Sequence, residues 1–159
     1  MKICGIDAST KKTGIALLEN GKLIEYRLID YSREQDLDKR MREMCMSIDE
    51  LLNYFEPDLI LCEDVWISKN PNTAKTLARL GGAIYMWSIL NNTYFKFVIP
   101  SAWRVAVGLN IGRKKRETLK QLSIDKVKEE YGIEPGEDVC VAILIGLSGV
   151  IDDSELFDD

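Results

Sequence analysis

A mixed α/β fold, a five-stranded sheet with helices on both faces, follows from three observations on this 159-residue sequence. Two strand-like runs near the start are joined by Asn-Gly, the strongest short-range hairpin signal. A helical stretch then leads into "DLILCED", an apolar run too short for a helix, and a second helical stretch leads into "YFKFVI". Strands separated by helices pair in parallel, because a crossover of helical length returns the chain to the same end of the sheet.

Residues 2–30 divide into "KICGIDAS", "TGIALLE" and "KLIEYRLID", an antiparallel meander. From Leu37 to Phe55 the apolar residues Leu37, Met41, Met44, Cys45, Ile48, Leu51, Leu52 and Phe55 keep helical spacing, with charged residues on the other face. "DLILCED" reads as a buried parallel strand that delivers Glu63 or Asp64 to its carboxyl end. "NTAKTLARLGGAIYMWSILNN" predicts the second helix and "YFKFVI" the fifth strand. After Pro100 the chain is expected to turn through "SAWRVAVGL" and the basic run "GRKKRE" into a third helix, ending near Tyr131 with Gly132 as its cap. "EPGEDVCVAILIGLSG" opens with Pro, Gly and acids, which suit a helix N-terminus, and continues into an apolar body. The predicted order is β-β-β-α-β-α-β-α-α, in one domain over residues 1–150 with an acidic tail over 151–159.

Composition removes several chemistries. There is no histidine, so the usual general base, the Ser-His and Cys-His nucleophile pairs and the commonest zinc ligand are all missing. Cys4, Cys45, Cys62 and Cys140 form no C-x-x-C pair and fall inside apolar patterns, which predicts reduced, buried thiols. Hydrolysis by this chain must rest on carboxylates, lysines or bound metal. No apolar stretch approaches the roughly 20 residues of a membrane helix, and the N-terminus lacks a signal-peptide pattern. A cytoplasmic location with no membrane partner is expected. Net charge is -5, yet the last eight residues hold five acids, and without them 21 acids face 21 bases. A neutral body can carry a basic face. The tail either shields that face when no ligand is bound or serves solubility.

Ligands of open α/β sheets sit at the carboxyl ends of parallel strands. Asp7 ends the first strand, Glu63 the fourth, and the helix beginning near Glu137 brings Asp138 within reach. Three such carboxylates repel one another unless a cation stands between them. Mg²⁺ takes oxygen ligands and keeps several waters, which suits hydrolysis of a phosphodiester without histidine. Acids at strand ends also serve simply as helix caps or solvated turn residues.

The stretch "GIDASTKKTGIAL", the block "LCEDVWISKNPNTA" with the following "LARLGGAI", and the helix "EDVCVAILIGL" together resemble RuvC-type Holliday-junction resolvases, of the compact kind found in bacteriophages. These belong to the RNase H-like nuclease superfamily. The resemblance runs in order from the first strand to about Gly149. It implies an RNase H-like sheet and a homodimeric, Mg²⁺-dependent endonuclease, with Mn²⁺ able to substitute, that nicks two strands of a four-way DNA junction symmetrically. Asp7 and Glu63 match the family's first-strand aspartate and fourth-strand glutamate, and Asp138 the first acid of its final helix. Trp66 matches an aromatic that stacks on bases at the opened crossover. Arg104 and Lys115, or a neighbour of Lys115, match lysines near the scissile phosphate. One position departs: the family's second acid on the final helix is Val141 here. Either the three remaining acids suffice, with help from Glu137, or the protein binds branched DNA and cuts it poorly, or the chain is an altered, inactive form.

Lys11, Lys12, Lys69, Arg113, Lys114, Lys115 and Arg116 lie in or beside the loops of the expected strand-end face, where phosphate contacts are expected; a solvated basic surface is the plainer reading. Trp66 precedes the polar "SKNPN", which favours an exposed loop over a core position. A sugar-kinase or actin-like ATPase also has a loop similar to "GIDASTKKTG", but such proteins need a second lobe and further glycine-rich loops that this sequence lacks.

Overall fold

The computed structural model describes residues 1–65, 70–109, 112 and 114–153. Its elements are β1 (Lys2–Asp7), β2 (Lys12–Glu19), β3 (Lys22–Asp30), α1 (Leu37–Phe55), β4 (Leu59–Glu63), α2 (Pro71–Leu90), β5 (Tyr94–Val98), α3 (Pro100–Ala106), α4 (Arg116–Tyr131) and α5 (Glu137–Asp153). The sheet order is β3-β2-β1-β4-β5. The pairs β1–β2 and β2–β3 are antiparallel, whereas β1–β4 and β4–β5 are parallel. The mixed five-stranded sheet of the sequence analysis is therefore the fold.

Local chemistry accounts for the element ends. Asn20 and Gly21 both take positive φ, 51° and 79°, as a two-residue hairpin requires. Asp36 caps α1 by accepting from the Lys39 N–H at 2.8 Å, and Met44, Ile48, Leu52 and Phe55 form its buried stripe. Asn70 caps α2, with Pro71 just inside its first turn, and Gly132 ends α4 at φ 69°.

One element departs from the sequence expectation. Residues after Pro100 form the helix α3 rather than a turn, with Pro100 at its first position and Trp103 buried. Pro is preorganised for that position. Seven residues are too few for a period of 3.6 to stand out, so the helix leaves no pattern to read. At the other end of the chain, α5 continues to Asp153, three residues into the expected tail, whose residues 154–159 lie outside the described residues.

Two cores flank the sheet. Cys4, Ile6, Ile15, Ile60 and Cys62 face α1 and α2, while Ile3, Ala16, Leu18 and Leu61 face α3, α4 and α5. All four cysteines are free thiols. The second core is unusually close to the sheet backbone: a Cβ at Gly5 would overlap the Ala142 carbonyl oxygen, and one at Gly14 would overlap that of Asp138. Glycine on β1 and β2 is what lets α5 lie against them.

Gly5→Ala is accordingly expected to destabilise the protein by about 3 kcal/mol, the upper range for overpacking a rigid core. Urea unfolding checks this, and a midpoint equal to wild type contradicts the close approach of α5 to β1.

Candidate active site

Side chains alternate across a strand. Because Cys4 and Ile6 face α1, the intervening Gly5 and the following Asp7 face α5; on β4 the same alternation sends Ile60 and Cys62 one way and Leu61 and Glu63 the other. Parallel register pairs Ile6 with Cys62, so Asp7 and Glu63 leave neighbouring strands side by side on one face. The α5 helix begins at Glu137 and crosses β2 at Gly14, which brings Asp138 to the same place. The sequence left Glu63 and Asp64 as alternatives. Glu63 lines the cleft, whereas Asp64 is exposed and accepts from the Val65 N–H at 2.8 Å.

The cleft at these strand ends measures about 990 Å³, and Asp7, Glu63, Glu137 and Asp138 all line it. Burial pushes the Asp7 carboxyl up to about 8, and the negative charges of Glu63, Asp138 and Glu137 add to the effect; Arg104 opposes it. Burial also raises Glu63, against the Trp103 indole N–H, which donates to Oε1 at 3.4 Å, and against Arg104. Asp138 is raised by burial and by Glu137, and held back by Lys12 and Lys120. Lys120 Nζ pairs with Glu137 at 2.7 Å. Behind Asp7 the chain is pinned by Thr13, whose hydroxyl donates to the Ser9 carbonyl at 2.7 Å and accepts from the Ser9 N–H at 3.1 Å.

This donor set fits a hard divalent cation: it is all oxygen and partly dehydrated, and its four carboxylates line one cleft. Among the described residues no three Asp, Glu or Cys side chains are already disposed as a ligand shell.

The expected basic residues divide into three groups. Lys11, Arg104, Lys114 and Arg116 line the cleft. Lys12 and Lys115 are exposed and do not line it: Lys12 pairs with Asp30 at 3.7 Å, and Lys115 is the residue preceding α4. Trp66, Lys69 and Arg113 lie outside the described residues. Val141 lines the cleft one turn beyond Asp138.

The sequence analysis missed Trp103 and Lys120, which bond to Glu63 and Glu137, and Arg40, which lines the same cleft. Trp103 was hidden with α3 itself. Lys120 had a readable signal, since it lies four residues after Arg116 on one helical face.

Known proteins share both the sequence pattern and the fold. A family model described as "Crossover junction endodeoxyribonuclease RuvC" matches residues 3–143. A protein of that name from Caldicellulosiruptor saccharolyticus is 26% identical, covering 98% of this chain and 96% of the relative. Among solved structures, Thermus thermophilus RuvC in complex with a Holliday junction substrate superposes with a TM-score of 0.79 at 16% identity, over 98% of this chain and 96% of that one. Fowlpox virus resolvase, in complex with Holliday junction DNA, gives 0.62 at 19% identity over 94% and 99%. At those identities the two structures speak for the fold.

The raised Asp7 has a consequence for the metal-free protein. Its carboxyl holds a proton to about 8 when folded, against an ordinary value of 3.8, so stability is full below the lower value and is lost as pH rises through the upper one. In EDTA, Asp7→Asn is expected to melt several degrees above wild type at pH 8, with the gap closing towards pH 5. Calorimetric melting temperatures at the two pH values check the sign; a gap of the same size at both contradicts the burial of this acid.

Proposed function

This chain belongs to the RuvC family of crossover junction endodeoxyribonucleases, and from that premise we propose that Asp7, Glu63 and Asp138 hold Mg²⁺ and that two copies of the chain cut a four-way DNA junction together. The chain is a junction-resolving endonuclease, and its family depends on divalent metal. One observation carries the assignment of the site: carboxylates from β1, β4 and α5 meet in one cleft that also carries Lys11, Arg104, Lys114 and Arg116.

The residues divide the work by charge. Asp7, Glu63 and Asp138, with Glu137 beside them, bind the metal, which when bound supplies an activated water and neutralises charge on the phosphate. The Trp103 N–H orients the Glu63 carboxylate. Arg104, its guanidinium carbon 4.9 Å from the Trp103 ring centre, presents positive charge to the phosphate that acids alone would repel. Lys11, Lys114 and Arg116 bind backbone phosphates on either side, which orients branched DNA across the cleft.

A second copy is supported by the outer face of α2. Met86, Ile89 and Leu90 are 55%, 58% and 76% exposed there, beside a groove against α1 lined by Cys45, Ile48 and Trp87. A patch of that kind marks an interaction site. Pairing about a two-fold axis would direct two clefts at opposite strands of a junction that has the same symmetry.

Two measurements test this reading. A labelled junction incubated with protein and Mg²⁺ should receive symmetrical nicks; Asp7→Asn should cut at least 100-fold more slowly with junction binding retained, and Val141→Asp should cut faster than wild type. Shifted bands without nicks in the wild type would leave a binding protein instead. In the second measurement, Leu90→Asp should turn a dimer into a monomer by light scattering, and an unchanged mass would remove α2 from the interface.

A further inference from the structure

Among the described residues only three buried side-chain nitrogens lack a hydrogen-bond partner: the Nε atoms of Arg40 and Arg104 and the indole nitrogen of Trp87. Trp87 belongs to the apolar groove of α2. The two arginines line the same cleft as the acids.

Arg40 stands on α1, one turn after Leu37, which also lines the cleft. Its Nη1 donates to the Glu34 carbonyl at 2.7 Å, which fixes the plane of the guanidinium. No carboxylate neutralises it among the described residues. The Glu34 carboxylate is occupied by Lys39 at 2.9 Å, and the Asp36 carboxylate caps α1. A half-buried guanidinium with an orphaned Nε–H and no counter-charge is unfavourable unless an anion arrives.

Its position says which anion. The helices α1 and α2 cover one face of the sheet, and α3, α4 and α5 cover the other. Arg104, Lys114 and Arg116 therefore approach the strand ends from one side of the sheet, and Arg40 from the opposite side. A chain of phosphates crossing Asp7 and Glu63 at the sheet's end meets both. Neither group on its own would hold that chain in line.

We infer that Arg40 binds a backbone phosphate next to the one being cut, through its anchored guanidinium, and so fixes the register of the DNA strand over the acids. This rests on the nuclease reading above. Arg40 touches no reacting atom in this scheme; it positions the strand.

The test is binding to an intact four-way junction in EDTA, with sodium chloride varied from 50 to 400 mM, for wild type, Arg40→Gln and Arg40→Lys. One lost phosphate contact should lower the slope of log K against log salt by about 0.9 in Arg40→Gln. Arg40→Lys should restore the slope but bind several-fold more weakly than wild type, because the charge returns on a flexible stem without the planar guanidinium that Glu34 anchors. Melting temperatures should stay within 2 °C of one another (about the effect of half a kcal/mol). An unchanged slope in Arg40→Gln beside a normal wild-type slope would overturn this inference alone, whether or not affinity fell, since a structural role alters stability rather than salt dependence. Failure of the wild type to bind the junction would overturn the nuclease reading, and this inference with it.

Discussion

The close approach of α5 to β1 and β2 is the constraint on which the rest of the structure depends. Backbone lies on backbone where Gly5 meets Ala142 and where Gly14 meets Asp138, and Gly146 returns the favour by leaving room for Leu18. Interiors are close-packed, so such contact leaves the helix one position along the sheet. Because Asp138 is one of the contact residues, its carboxylate is placed by the same packing that builds the core. Parallel pairing of β1 with β4 does the corresponding job for Asp7 and Glu63. Three acids from distant parts of the chain are thus gathered by apolar and backbone contacts, against their own repulsion.

That repulsion is then the chemical resource of the site. A fold that confines like charges in a partly dry cleft lowers its own stability and raises its affinity for a cation. The bases offset it only in part: Lys120 pairs with Glu137, Lys12 and Lys120 hold back Asp138, and Arg104 relieves Asp7 and Glu63 together. An arginine held over an indole ring stays at a fixed place instead of collapsing onto the carboxylates. That is the placement which the proposed phosphate contact requires.

Much of this was legible in the residues. The Asn-Gly hairpin, the bounds of α1 and the Gly132 cap each rest on a local rule that tertiary contacts had no reason to override. Asp7 and Glu63 could be paired because strand alternation and the parallel rule are both short-range inferences with long-range consequences. What could not be read depends on packing alone. The seven residues of α3 lack a period, and without that helix Trp103 has no reason to stand beside Glu63. Arg40 looked like one more solvated charge on a helix rich in them, and only the fold turns it towards the cleft. Lys12 and Lys115 show how fine that placement is: Lys11 and Lys114, one residue earlier, line the cleft wall, and these two do not.

Val141 is best understood through the same balance of charge. Glu63, Asp138 and Glu137 each already raise the proton affinity of Asp7, so an acid at 141 would add to a repulsion that the metal-free fold must carry. Valine instead packs on the core beneath α5. Glu137 stands four residues earlier, one turn away on the same helical face. Lys120 holds it in an ion pair whose side chains are 38% and 35% exposed. A pair that open to water contributes about 1 kcal/mol or less, so it yields readily to a divalent cation. Apart from Asp138, Glu137 is therefore the acid nearest along this face of α5 to the position that Val141 leaves without one, a turn closer to the N-terminus, where the helix dipole favours negative charge.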